Sequence, residues 1–246
     1  MPHSRPTAAL DLPPRFHLAA LHEVGDAFAH AVAVAAEEGA GALVFVGRFD
    51  LAEFAVVLQP EEPLRIARCV FYAGCTALAD ALALHASPEA VIAFTWPDAI
   101  HVDGGRIGGA RLGWPAGADE DRPPDWLVFG GMIRTVAMGE TQPGLRRLAT
   151  TLEVEGFDDA GSSRLVESFV RHLVVAIDAW NERGFREVAK RYLLRLMPDK
   201  GARREIDANG DLLVRRTGSV EVERYALAPA LARPSWRDAA TGGLRR

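Results

Sequence analysis

The sequence predicts an α+β fold: a mixed sheet packed with helices over residues 15–200, then a small β module over 201–230, with loose ends at 1–14 and 231–246. Three observations predict it. Stretches with apolar residues every three to four positions alternate with short β-branched runs, the patterns that buried faces impose on helices and strands. After the last helical stretch stops at Pro198, only short β-prone runs follow, separated by turn residues. At 49% hydrophobic and 25% charged, 246 residues hold ample apolar material for a core.

Taken in order, Pro2, Pro6, Pro13 and Pro14 keep residues 1–16 out of regular structure. His22–Glu38 reads as a helix with Val24, Phe28, Ala31 and Ala35 inward, ended by Gly39 and Gly41. Ala42–Val46 and Phe54–Leu58 read as buried strands, and Leu64–His85 as one long helix. Ala90–Phe94 is a strand feeding a hairpin that runs to Leu112. A polar, acidic loop spans Ala116–Pro124, and strand character resumes at Trp126–Phe129 and Ile133–Ala137. A turn follows at Gly139–Gly144, then an extended piece at Thr150–Glu155. Ser162 or Ser163 caps a helix to about Glu182, continued by Phe185–Leu196. In the last module Asn209-Gly210 marks a hairpin between β-prone runs. Residues 234–246 are polar and expected to fray.

Several function classes are disfavoured. A net charge of -5 argues against a general nucleic-acid binder, which relies on phosphate neutralisation. Cys69 and Cys75 fall in one helical stretch without metal or redox spacing and read as core residues of a reducing cytosol, so the chain reads as cytoplasmic. No apolar run approaches the roughly 20 residues of a membrane span, and no membrane partner is expected. The histidines fit no zinc spacing, and no metal site is expected. Neither a phosphate loop ending in Gly-Lys-Ser/Thr nor a Gly-x-Ser-x-Gly elbow occurs. Only two of 28 basic side chains are lysines, Lys190 and Lys200.

The stretch Phe94–Leu112 concentrates the chemistry. Trp96, Asp98, Asp103, Arg106 and the pair Gly108-Gly109 on one hairpin form a candidate floor for a small-molecule pocket. Paired glycines let backbone approach a ligand closely. An equally simple reading is a surface hairpin with Trp96 as a core plug.

Thr95-Trp96-Pro97-Asp98-Ala99 followed by Arg106-Ile107-Gly108-Gly109 resembles two motifs of biotin–protein ligases and lipoate–protein ligases, Lys-Trp-Pro-Asn-Asp and Lys-(Leu/Val)-(Ala/Gly)-Gly, at the same separation. Val128–Arg134 is similar to the family's Gly-x-Gly-x-Asn strand, Gly25-Asp26-Ala27 to its Ser-Thr-Asn, and Gly47-Arg48 to its arginine-rich loop. The segment Ile206–Val214 resembles the family's closing β domain. The likeness covers roughly 15–225.

This resemblance implies an enzyme that activates a vitamin or lipoyl carboxylate with ATP and magnesium and passes it to a lysine of an acceptor domain. Biotin or lipoate would be the substrate. It implies a site with substrate-binding residues Arg48, Thr95, Trp96, Asp98, Arg106, Gly108, Gly109 and Arg134, and assigns no catalytic residue. The departures are specific. Thr95 replaces the motif lysine, Ala99 replaces an acid, and Arg134 replaces an asparagine. Loss of one preorganised charge contact costs on the order of 10²–10³ in rate. Arg48, Arg106, Arg111 or Arg134 can replace its electrostatics but not a lysine's proton transfer. Three readings follow: a divergent ligase, a non-catalytic binding or regulatory homologue, and an octanoyl or lipoyl transferase in which Cys69 or Cys75 lies in the pocket.

Overall fold

The computed structural model describes residues 10–21, 25–137, 149–157 and 161–245. Seven strands form one sheet in the order β1 (His17–Leu21), β2 (Ala42–Gly47), β3 (Leu51–Leu58), β7 (Leu127–Arg134), β6 (Gly105–Gly113), β5 (Ala99–Val102) and β4 (Ile92–Thr95). Only β1 and β2 run parallel; the other neighbours are antiparallel, so the sheet is mixed as expected.

The two faces of the sheet are covered differently. On one lies α1 (Ala27–Glu38), whose inward residues Ala27, Ala31 and Ala35 are spaced four apart. Their small size lets the helix sit close to Val44, Val46, Ala55 and Val128. The other face carries α3 (Val70–His85), α4 (Ser162–Arg183) and α5 (Phe185–Leu194), with Phe54 and Phe129 packed on Phe169. This side holds the main core.

The helix α1 begins at Ala27, later than its apolar spacing suggested, because Leu21 belongs to β1. That strand is illegible in Leu18-Ala19-Ala20-Leu21, which has little intrinsic strand preference. It forms by pairing with β2, His17 opposite Ala42 through Leu21 opposite Val46. The expected long helix Leu64–His85 is broken at Arg68-Cys69 into α2 (Leu64–Ala67) and α3. Here the acidic loop reaches back: the Arg122 and Glu120 carbonyls accept from Leu64 N and Arg65 N, and Glu120 pairs with the buried Arg68 guanidinium. Two first-turn donors of α2 are thereby satisfied. By length and hydropathy alone Leu64–His85 is apolar enough to cross a membrane, but 83% of its most apolar stretch is buried inside this fold, as in a core helix. Thr150–Glu155 forms a turn, with Thr150 N bonded to the Arg106 carbonyl. The expected turn at Gly139–Gly144 lies outside the described residues.

Beyond α5 comes a three-stranded sheet of β8 (Ala202–Ile206), β9 (Leu212–Arg216) and β10 (Val222–Tyr225). Its hairpin closes as Asn-Gly suggested: Asp207 accepts from Asn209 N and Asp211 N, and Gly210 takes φ 85°. Ile206, Leu212 and Val214 join the main core, and Tyr72 of α3 donates to the Gly210 carbonyl at 2.6 Å. A short helix α6 (Leu227–Leu231) follows. Residues 234–245 then return across the α1 face of the large sheet instead of fraying, because their polar stretch hides one large aromatic side chain, Trp236, which is fully buried.

Candidate functional site

Strand alternation sorts the hairpin residues onto two sides. At the corner made by the cis Trp96–Pro97 bond, Trp96 turns toward the α3 face, where its indole donates to Tyr72 Oη at 2.9 Å. Thr95 bonds His101 Nε2 at 3.1 Å on the same side. Both residues line an open cleft of about 340 Å³ between β4 and the small sheet, together with Met197, Arg204 and Tyr225. Its arginines are engaged locally: Arg204 on the Met197 and Leu196 carbonyls, Arg216 on Asp199 and Glu223.

Asp98, Arg106, Gly109 and Arg134 gather on the α1 side. Gly109, Arg111 and Gly113 alternate along β6 onto that face. A Cβ at Gly113 would meet Phe28 of α1, and one at Gly109 would meet the Trp236 indole at 2.2 Å. Gly108 faces the neighbouring strand, where a Cβ would lie 1.9 Å from the Met132 carbonyl oxygen. Leu51, Ala99 and Met132 complete an apolar slot filled by Trp236, whose ring nitrogen donates to the Ala110 carbonyl at 3.1 Å. The sequence thus placed eight residues in one site, and the structure brings four of them together. Thr95 and Trp96 belong to the other side, and Gly108 serves the strand pairing. Arg48, at the β2–β3 turn, is held by Asp50 at 2.6 Å.

Charge is organised at both ends of this slot. At the α1 N-terminus, Asp26 caps Ala29 N and accepts from Arg111 Nη2 at 2.8 Å and Arg237 Nη2 at 3.0 Å. Buried Glu53 accepts from Ala27 N, so two carboxylates meet the helix dipole. Burial pulls the Asp26 carboxyl upward, but Arg111, the helix N–H and Arg237 outweigh it, and its pKa lies below the ordinary value. Burial wins for Glu53, which is shifted up. The Arg111 guanidinium also lies 4.2 Å over the Phe28 ring.

At the opposite end, Arg106 Nη2 (3.1 Å) and Arg134 Nη2 (2.8 Å) both donate to one oxygen, the Arg245 carbonyl, and Arg134 Nη2 also reaches the Leu244 carbonyl at 3.0 Å. Burial, then the nearby Arg245 charge, lowers the pKa of Arg106. Beside them Asp98 is 1% exposed and accepts from Ser235 N (3.0 Å) and Ser235 Oγ (2.6 Å). Burial raises its carboxyl to a pKa of about 6, against the opposing effect of those bonds.

Two guanidiniums sharing an oxygen suit a carboxylate or a single phosphoryl group. They do not amount to a triphosphate cradle: Arg48 is held by Asp50, and among the described residues no three His, Cys, Asp or Glu side chains cluster to hold a metal. Sequence reasoning missed Asp26, Glu53, Ser235 and Trp236 as residues of the Trp236 slot and its two ends. Asp26 was legible as a helix cap, and Trp236 only as an aromatic in a polar tail.

Comparison with known proteins bears on the family and the fold. Residues 12–194 match the model of the "Biotin/lipoate A/B protein ligase family". No curated protein matches the chain. Among solved structures, a biotin protein ligase-like protein of unknown function from Silicibacter sp. TM1040 superposes with TM-score 0.76 at 27% identity, covering 89% of this chain and 97% of that one. Biotin protein ligase from Aquifex aeolicus matches with TM-score 0.62 at 16% identity, over 86% and 99% of the chains. The same enzyme in complex with biotin and ATP matches with TM-score 0.59 at 15% identity, over 85% and 98%. At such identities the Aquifex likeness speaks for the fold alone.

Proposed function

The chain belongs to the biotin/lipoate A/B protein ligase family, and from that premise we propose that it binds a small carboxylic acid of the biotin or lipoate type in a cleft on the α1 face, at the slot that holds Trp236. One observation carries the reading: Arg106 and Arg134, from different strands, converge on a single oxygen beside an apolar slot. Guanidinium groups bond a carboxylate oxygen more strongly than a carbonyl oxygen. The slot of Leu51, Ala99, Met132 and the bare Gly109 backbone supplies the apolar contact that a ring or acyl chain needs.

Within this reading the chain's own residues bind and orient the acid. Arg106 and Arg134 take the carboxylate, and the Asp26–Arg111 pair holds the α1 end of the cleft rigid. Activation by ATP and transfer to a protein lysine would make the chain an enzyme. Thr95, turned to the other side, brings no charge to that step, and Lys190 lies in α5 on the far face of the sheet. Binding is therefore favoured over adenylation. The cysteine-acyltransferase reading loses its nucleophile. Burial pushes the Cys69 thiol up to about 12 and raises that of the fully buried Cys75. A thiolate is needed for attack.

Calorimetry against biotin, lipoate, octanoate and ATP tests the proposal. It requires binding of at least one acid, weakened roughly 10- to 100-fold by Arg106→Ala or Arg134→Ala, as expected for a charge-assisted contact. An acid that binds both variants as tightly as the parent chain overturns it. Pyrophosphate release with ATP and the bound acid would restore the ligase reading.

A further inference from the structure

The cleft is filled by the chain itself, and the way it is filled has the form of a ligand. Residues 236–245 make a small hairpin: Arg245 N bonds the Trp236 carbonyl at 2.8 Å, Asp238 N bonds the Gly243 carbonyl at 2.8 Å, and Arg237 bridges Leu244. Every anchor of this hairpin is a group already placed in the candidate site. Trp236 puts a flat bicyclic ring with an N–H donor in the apolar slot, bonded to the Ala110 carbonyl. The Leu244 and Arg245 carbonyls put oxygens on Arg106 and Arg134. Ser235 bonds Asp98 through both its N–H and its hydroxyl, and Arg237 bonds Asp26 at the α1 end.

We propose that residues 234–245 are a displaceable intramolecular occupant of the acid-binding cleft, with the Trp236 ring standing in for the ligand's apolar body and the 244–245 carbonyls for its carboxylate. This rests on the acid-binding reading above. The contacts are of a kind that can be exchanged. Arg106 and Arg134 meet the tail through its carbonyl oxygens, acceptors whose place a ligand's carboxylate oxygens can take. The segment contributes no strand to the large sheet, so it can leave without breaking the strand order. An acid and the tail cannot share the slot, because a Cβ added at Gly109 already meets the indole at 2.2 Å. When the competent state is only a fraction of the population, apparent affinity falls by that fraction. Loosening the tail must therefore tighten binding.

The test compares the full-length chain with its Trp236→Ala and Ser235→Ala variants, titrated by calorimetry with biotin, lipoate and octanoate. Hydrogen exchange of the 234–245 amides is followed with and without the acid that binds. The proposal expects at least about tenfold tighter binding for Trp236→Ala, a smaller gain in the same direction for Ser235→Ala, and faster exchange in 234–245 of the parent chain when acid is present. The Ser235→Ala variant and the exchange of the unaltered chain keep the result decisive if Trp236→Ala folds poorly. Equal or weaker binding by the variants, with tail exchange unchanged or slowed by the acid, means that the tail is a wall of the pocket; this overturns the occupant proposal and leaves acid binding standing. No binding of any acid by parent or variants overturns both.

Discussion

Asp98 offers a stability prediction whose size can be worked from the structure. Its carboxyl is buried under the returning tail, and burial raises its pKa from an ordinary 3.8 to about 6. A carboxyl with a raised folded-state pKa binds its proton more tightly folded than unfolded. It therefore contributes stability that is fully present below about pH 4 and is lost as pH rises through about 6. At about 1.4 kcal/mol per pH decade, the interval corresponds to about 3 kcal/mol. Replacing Asp98 by Asn removes the titration while keeping one acceptor for Ser235. Urea denaturation of parent and Asp98→Asn between pH 3.5 and 7.5, in roughly half-unit steps, should show the parent's advantage shrinking by about 3 kcal/mol, with the slope confined to the pH 4–6 window. A constant difference across that window would show that Asp98 is solvated and not covered, and would refute the packing of Ser235 and Trp236 over it.

Further outcomes follow from the same contacts. Gly108→Ala would set a Cβ 1.9 Å from the Met132 carbonyl oxygen; parting β6 from β7 should cost about 1–3 kcal/mol in urea unfolding, and an unchanged midpoint contradicts the register. Arg111→Ala leaves Asp26 with Arg237 alone and Glu53 still buried. A loss of about 2–4 kcal/mol is expected by chemical denaturation, and a loss below about 0.5 kcal/mol would place the pair in solvent. Cys69 and Cys75 should resist a thiol reagent at pH 8 in the folded chain and react together on unfolding, since burial raises both thiols; rapid native labelling of either contradicts their placement.

The sequence carried the architecture wherever burial leaves a periodic mark. The apolar spacing of Leu165, Phe169 and Leu173 and the β-branched run Ala42–Val46 were sufficient for α4 and β2. It failed where structure comes from a partner. The Ala-rich β1 exists only by pairing with β2, and the break at Arg68 depends on Glu120, 52 residues away. Half of the candidate site was legible for the same reason. The motif positions Asp98, Arg106, Gly109 and Arg134 could be matched by resemblance. Their grouping apart from Thr95 and Trp96 follows from strand alternation around a corner, and one-dimensional spacing does not show which side each residue takes. The tail was the largest surprise. Trp236 sits between Ser235 and Arg237 in a polar run, and nothing local says that a slot 126 residues upstream, with Gly109 at its base and Ala110 as acceptor, will hold its ring.

The central claim is that Arg106 and Arg134 form a carboxylate grip on the α1 face. Comparing the affinity of each acid with that of its neutral primary amide, biotin against biotinamide and lipoate against lipoamide, tests it most directly. Both members of a pair fill the apolar slot equally, and only one brings the charge. The account predicts binding of the acid roughly 10- to 100-fold tighter than its amide, with the ratio collapsing toward one in the Arg106→Ala, Arg134→Ala double variant. Equal affinities of acid and amide for the parent chain would contradict it.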